Sequence, residues 1–296
     1  MQLVVTLVAA DPHDLPAALE AVELAVSGGG TLVGEADLLG PNAADLPVES
    51  AAPAVVREQA EAALAGRRVD VCVQPARGRR KRLLIADMDS TIINVECLDE
   101  LADFAGVKAQ VAAITERAMA GELAFEGALR ERVAMLKGLG LDALQHCYDQ
   151  RVRLNPGAET LVKTMAAHGA RCVLVSGGFT FFTGRVARAA GFHDNRANTL
   201  IEDGAGLAGL VGEPILGREA KLAALLEEVA ALGATPADAL AVGDGANDLA
   251  MIEAAGLGVA YRAKPVVAAQ SDARVDHADL TALLYFQGYR LEDFAA

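Results

Sequence analysis

Residues 2–10 (QLVVTLVAA) form a nearly continuous apolar run, the pattern of a buried strand, and LPAALEAVELAVS behind it repeats apolar positions at helical spacing. GTLVGEADLL reads as a second strand and DLPVES as a weak third, after which AAPAVVREQAEAALAG returns to a helical period and VDVCVQ alternates as a strand. The predicted order β-α-β-β-α-β over residues 1–75 is that of a small ferredoxin-like α+β domain. The character of the chain then changes at PARGRRKR, where five basic residues stand behind a Pro and beside a Gly, so residues 76–82 read as a solvated linker.

Beyond it, over residues 83–296, strands and helices alternate. RLLIADMD, CVLVS, ALAVGD and LGVAY are continuous apolar runs, as expected for a doubly wound parallel α/β sheet buried on both faces. Between about 95 and 152 no convincing strand occurs, and stretches such as FEGALRERVAMLKGLG read as helices, which predicts a helical cap inserted into the α/β alternation. NTLIEDGAGLAGLVG alternates around a Gly-bearing turn and predicts an antiparallel hairpin. The polar strings described next lie at the carboxyl ends of the predicted strands, where open α/β sheets bind their ligands.

Composition narrows the picture. The 296 residues suit two domains. With 26 Lys and Arg against 40 Asp and Glu the net charge is −14, which argues against coating nucleic acid or an anionic membrane surface. No aromatic residue is interleaved with the charges of PARGRRKR for base stacking. The longest apolar runs reach about half of the ~20 residues a membrane helix needs, and the first basic residue is Arg57, so a secretory leader is not expected. Cys72, Cys97, Cys147 and Cys172 form no C-x-x-C pair, which leaves a reducing cytoplasm as the expected compartment. The histidines show no ligand spacing.

Asp87 and Asp89, in D-M-D-S-T at the end of the first core strand, place two carboxylates close enough that both ionise cheaply only beside a cation. Ser176, Gly177 and Gly178 follow VLV and offer a hydroxyl and accessible backbone N–H groups to an anion such as phosphate. Lys221 opens a helical run, and G-D-G-A-N-D sets Asp244, Asn247 and Asp248 among glycines after another buried strand. Hard oxygen ligands beside tight turns suit Mg2+.

In this order, D-M-D-S-T, V-S-G-G, an isolated Lys and G-D-G-A-N-D closely resemble the haloacid dehalogenase superfamily of aspartate-dependent phosphotransferases over residues 82–285. The second Asp, where membrane cation pumps of the superfamily carry Lys, implies phosphatase chemistry. Glu96 and the insertion residues Met119, Phe125 and Arg132 narrow the resemblance to the phosphoserine phosphatases, in which the matching Glu and Arg grip the ammonium and carboxylate of O-phospho-L-serine. The resemblance implies an Asp87 nucleophile, Asp89 as acid and base, and Mg2+ on Asp87, the Asp89 carbonyl and Asp244. Ser176, Gly177, Gly178, Lys221 and Asn247 would bind substrate, with Asp248 supporting the metal shell and the lysine. The same motifs would serve transfer to homoserine or another amino alcohol, and a binding-only regulatory protein is a further alternative that the intact Asp87 and Asp89 disfavour.

Element order and length give the amino-terminal domain a resemblance to the ACT family of amino-acid sensors, which would imply an amino-acid effector there and leaves room for a homodimer. Every candidate catalytic residue lies beyond the basic segment, so this domain is expected to be dispensable for the chemistry.

Overall fold

The computed structural model describes residues 1–119 and 122–295. Its first part contains β1 (Gln2–Ala9), α1 (Leu15–Val26), β2 (Thr31–Leu32), β3 (Asp37–Gly40), β4 (Ala43–Glu49), α2 (Pro53–Ala63) and β5 (Val69–Pro75). The strands pair in the order β2-β4-β1-β5, with β3 also on β4, and each pairing is antiparallel. This is the expected ferredoxin-like arrangement, but the relative strengths of the middle strands are reversed. The segment expected as a weak strand is the central, largely buried β4, whereas the expected second strand is broken into the short β2 and β3. Pro47 and Asp45 made β4 look weak. The Pro47 carbonyl accepts from Val33, and in an antiparallel strand a residue's N–H and C=O point to the same side, so its missing donor faces the side where short β2 gives out.

The second part opens with β6 (Leu83–Ala86), followed by α3 (Cys97–Phe104), α4 (Lys108–Met119), α5 (Phe125–Ala134), α6 (Leu141–Arg151) and α7 (Ala158–Ala167). Then come β7 (Arg171–Phe179), α8 (Thr180–Ala190), β8 (Asp194–Asn198), the hairpin β9 (Leu200–Asp203) and β10 (Gly206–Val211), and α9 (Arg218–Ala231). The chain ends with β11 (Ala239–Gly243), α10 (Leu249–Ala254), β12 (Leu257–Tyr261), α11 (Pro265–Ala268), β13 (Ala273–Val275) and α12 (Ala282–Phe286). Strands β13-β12-β11-β6-β7-β8 form a six-stranded parallel sheet. Along its strands successive side chains enter opposite cores, Leu84, Leu174, Leu240 and Val259 on one face and Leu83, Val173, Ala239 and Ala260 on the other. Burial on both faces explains the continuous apolar runs of the sequence. The helices α3 to α6 form the predicted cap, and β9–β10 is the predicted hairpin, which braces the cap through hydrogen bonds of Gly138, Leu139 and Leu141 with Leu207 and Ala205. No helix among the described residues is long and apolar enough to cross a membrane.

Two cations of the basic segment, Arg79 and Lys81, are withdrawn from solvent, while Arg77, Arg80 and Arg82 are exposed. Arg79 is 13% exposed and makes a two-pronged pair with Asp45 at 2.5 and 3.0 Å, while also donating to Thr6 Oγ1 and to the carbonyls of Tyr285 and Phe286. Lys81 is buried with its ammonium on the carbonyls of Gly78 and Ala237. Around Arg79 the amino-terminal sheet lays Val8, Ala43 and Cys72 into the same hydrophobic core as Tyr285 and Phe286. Asp70 adds a polar tie by accepting backbone N–H bonds from Asp276, His277 and Ala278. The domain expected to be dispensable thus covers apolar surface of the larger one. Breaking a buried ion pair strands the remaining charge, so Arg79→Ala should lower unfolding stability by about 3 kcal/mol. Asp45→Ala in that background should add less than about 1 kcal/mol, which denaturant titration of the four variants would measure.

Candidate active site

The carboxyl ends of β6, β7 and β11 lie side by side, and the three polar strings of the sequence converge there. Asp87 continues β6, its N–H bonded to the Val242 carbonyl of β11. The chain then makes one wide turn over Met88–Ile92 in which Ser90 takes a left-handed φ of 58°. That turn carries Asp89 away from Asp87: the Asp89 carboxylate accepts the Cys97 N–H at 3.2 Å and the Ser176 hydroxyl at 3.4 Å. Ser176 in turn accepts the Gly178 N–H at 2.8 Å. A Cβ at Gly178 would stand 2.8 Å from Asp89 Oδ2, so glycine is what lets the β7 loop approach this carboxylate.

From α9, Lys221 reaches beneath the site and donates to both Asp87 Oδ1 and Asp248 Oδ1, the latter at 2.6 Å, with all three residues buried. The other Asp248 oxygen takes the N–H groups of Asp244 and Gly245. Asp244 receives the Thr91 hydroxyl at 3.3 Å. Carboxylate oxygens of Asp87, Asp244 and Asp248 all lie within 4.8 Å of one another. Because both Asp248 oxygens are already engaged, Asp87 and Asp244 are the carboxylates free to take a cation.

Electrostatics point the same way. Burial, then the charge of Asp248, pushes Asp87 well above the usual carboxylate range against the pull of Lys221. Burial and Asp248 raise Asp244 to about 6, and burial and Glu96 raise Asp89 to about 7. Burial alone would lower Lys221, but Asp248 and Asp87 overcome it and hold the ammonium protonated. A single ammonium therefore serves a cluster with excess negative charge, and a hard dication fits that donor set.

Above the site the cap overhangs a half-open cavity of about 640 Å3. It is lined from the core by Asp87, Asp89, Ser176, Gly177, Gly178, Asp244 and Asn247, and from the cap side by Glu96, Phe125 and Arg132. Glu96 accepts from the Ser90 hydroxyl at 2.7 Å. Arg132 is anchored by its Nε on the Ala128 carbonyl, and burial lowers its pKa against the pull of Asp99 and Glu96. The Phe125 ring rests on backbone, 3.3 Å from where a Cβ of Gly177 or Gly217 would be. Every candidate residue named from the sequence thus lies in or directly beneath one cavity, except that Met119 ends α4 with a side chain outside the described part of the chain.

Several contributors were not singled out. Asp99 and Lys264 line the cavity, Cys97 and Thr91 bond the carboxylates of Asp89 and Asp244, and buried Asn198 ties the Gly177 carbonyl to Leu216. Thr91 stands inside D-M-D-S-T and was legible there; the others have no local signature.

Comparison with known proteins agrees with this geometry. The model of the haloacid dehalogenase-like hydrolases matches residues 84–253. The phosphoserine phosphatase of a Polaromonas species is 48% identical over 208 residues, covering 69% of this chain and 88% of that one. Among solved structures, a HAD family hydrolase from Salmonella enterica serovar Typhi superposes with a TM-score of 0.85 at 28% identity, over 96% of this chain and 98% of that one. A probable phosphoserine phosphatase from Vibrio cholerae superposes at 0.78 with 29% identity, over 99% of this chain and 88% of that one. By the match over residues 84–253 and the 48% identical relative, the chain belongs to the haloacid dehalogenase-like hydrolases and, among them, to the phosphoserine phosphatase family.

Proposed function

We propose that the chain hydrolyses O-phospho-L-serine to L-serine and phosphate through a phosphoaspartyl intermediate, as the last step of serine biosynthesis. The observation that carries this reading is that Glu96 and the Arg132 guanidinium, which feels the charges of both Asp99 and Glu96, line the same cavity as the carboxylates of the strand ends. A phosphate monoester bearing both an ammonium and a carboxylate complements that set, and a guanidinium can hold a carboxylate through two parallel hydrogen bonds.

In the first step Asp87 Oδ attacks phosphorus, the bond from phosphorus to the serine oxygen breaks, and Asp89 gives its proton to that oxygen. In the second Asp89 takes a proton from the attacking water, and phosphate leaves with Asp87 regenerated. A carboxyl raised to about 7 suits a group that must be acid and then base. Ser176, Gly177, Gly178 and Lys221 hold the phosphoryl oxygens, and Asn247 closes that side. Asp87, the Asp89 carbonyl and Asp244 would hold Mg2+, which supplies positive charge against the phosphoryl oxygens when bound. Asp248 fixes Lys221, and the cap keeps bulk water out. All four cysteines are free and buried, which suits the cytoplasm.

Asp87→Asn should eliminate phosphate release, because an amide is a poor nucleophile; release above background by the purified variant would remove the nucleophile assignment. Removing one partner of a desolvated charge pair costs about 2–5 kcal/mol, so Arg132→Ala should lower kcat/KM for phosphoserine by roughly 30-fold or more. An aryl phosphate has no amino-acid carboxylate and should lose much less. Equal losses on both substrates would reassign Arg132 to cap folding, and phosphoryl transfer to added homoserine in preference to water would replace hydrolysis as the reaction.

A further inference from the structure

The cap leaves the core at Ile92–Asn94 and returns at Val152–Asn155. These segments cross as a minimal antiparallel ribbon, with Ile93 bridged to Leu154, the Asn94 N–H on the Arg153 carbonyl at 3.1 Å and the Asn155 N–H on the Ile92 carbonyl at 2.8 Å. So short a ribbon holds little by itself, and two amide side chains fasten it. Asn94 Oδ1 accepts the Arg153 N–H at 2.8 Å, and Asn155 Nδ2 donates to the carbonyls of Thr91 at 2.8 Å and Ile93 at 3.0 Å.

Directly after Asn155 the chain is fixed to the core. The Pro156 carbonyl accepts the Leu280 N–H at 3.1 Å. Gly157, at φ 80°, has so little room that a Cβ would lie 2.7 Å from the Thr281 nitrogen. The ribbon is thus where the chain passes between cap and core, and Asn155 sits where the ribbon meets its fixed footing. It also touches the chemistry at one remove: it holds the carbonyl of Thr91, whose hydroxyl bonds Asp244.

From this juxtaposition we propose that Asn155 is a positioning residue, whose amide sets the resting angle of the cap hinge and, through Thr91, keeps Asp244 aligned with Asp87. The inference rests on the phosphoserine phosphatase reading for its kinetic part only. Alanine would leave the Thr91 and Ile93 carbonyls without their donor, and a carboxylate would repel both. Serine keeps one donor and cannot reach both carbonyls.

Asn155→Ala, Asn155→Ser and the parent chain are to be compared in three measurements: thermal unfolding, steady-state kinetics on phosphoserine, and direct binding of Mn2+ followed by electron paramagnetic resonance in the absence of substrate. A misplacement of about 1 Å at reacting groups can cost about a hundredfold in rate, and a smaller shift less. Asn155→Ala should accordingly lower kcat by about tenfold, with a smaller change in KM and weakened Mn2+ binding. Asn155→Ser should fall between it and the parent. Parent-like kcat and Mn2+ affinity in the folded fraction of either variant, with only the unfolding temperature reduced, would overturn the proposal in favour of a purely structural amide. Should Asn155→Ala not fold, Asn155→Ser decides by the same criterion. If the parent itself fails to turn over phosphoserine, the functional reading falls, while the Mn2+ comparison still decides the role of Asn155.

Discussion

One buried ammonium among too many carboxylates organises this protein. Lys221 touches Asp87 and Asp248, and its single charge cannot also offset Asp244 and Asp89. Leaving such a cluster dry and uncompensated would be costly, and backbone and hydroxyl donors converge on it: Asp248 takes two N–H groups, Asp89 takes that of Cys97, and Thr91 gives its hydroxyl to Asp244. The parallel sheet makes this possible because the loops after adjacent strands β6, β7 and β11 all open on the same edge. What remains after those donors is a negative deficit shaped for a dication, with a raised carboxyl, Asp89, beside it.

The cap completes the electrostatics with the opposite logic. Its contribution is an anchored guanidinium and a carboxylate placed across the cavity from the strand ends, together with an aromatic ring seated on glycine backbone. Gly177 and Gly217 matter to that contact because any side chain there would lift Phe125. The β9–β10 hairpin, which has no place in the site, earns its position by bracing the turn between α5 and α6.

How much of this the sequence revealed depended on the period of the signal. Strands buried on both faces announce themselves as apolar runs, so β6, β7, β11 and β12 were legible. The edge strands β8, DNRAN, and β13, ARV, were not, because one is polar and the other has three residues. The residues of D-M-D-S-T, V-S-G-G and G-D-G-A-N-D were legible because their spacing is local to single strand ends. Asp99, Lys264 and Asn198 were not, since each acquires its role from a neighbour far along the chain or from a face that a solvated element would also show, and Cys97 was not because it acts through its backbone N–H, which no residue type announces. The basic segment hid its exception for a related reason: five cations within six residues look solvated, as Arg77, Arg80 and Arg82 are, and nothing local says that Arg79 meets Asp45, 34 residues away.

That meeting has a consequence for how copies of this chain can associate. An antiparallel sheet of five strands with helices on one side offers its bare side as a surface for stacking, yet here Val8, Ala43 and Cys72 on that side are already part of the larger core. Stacking of amino-terminal sheets between two molecules is thereby closed off, because the same surface cannot be covered in cis and in trans. The outer sides of α1 and α2, where Leu24 and Val55 are exposed, and the rim at β3, where Leu38 is exposed, keep apolar surface of this domain open to solvent.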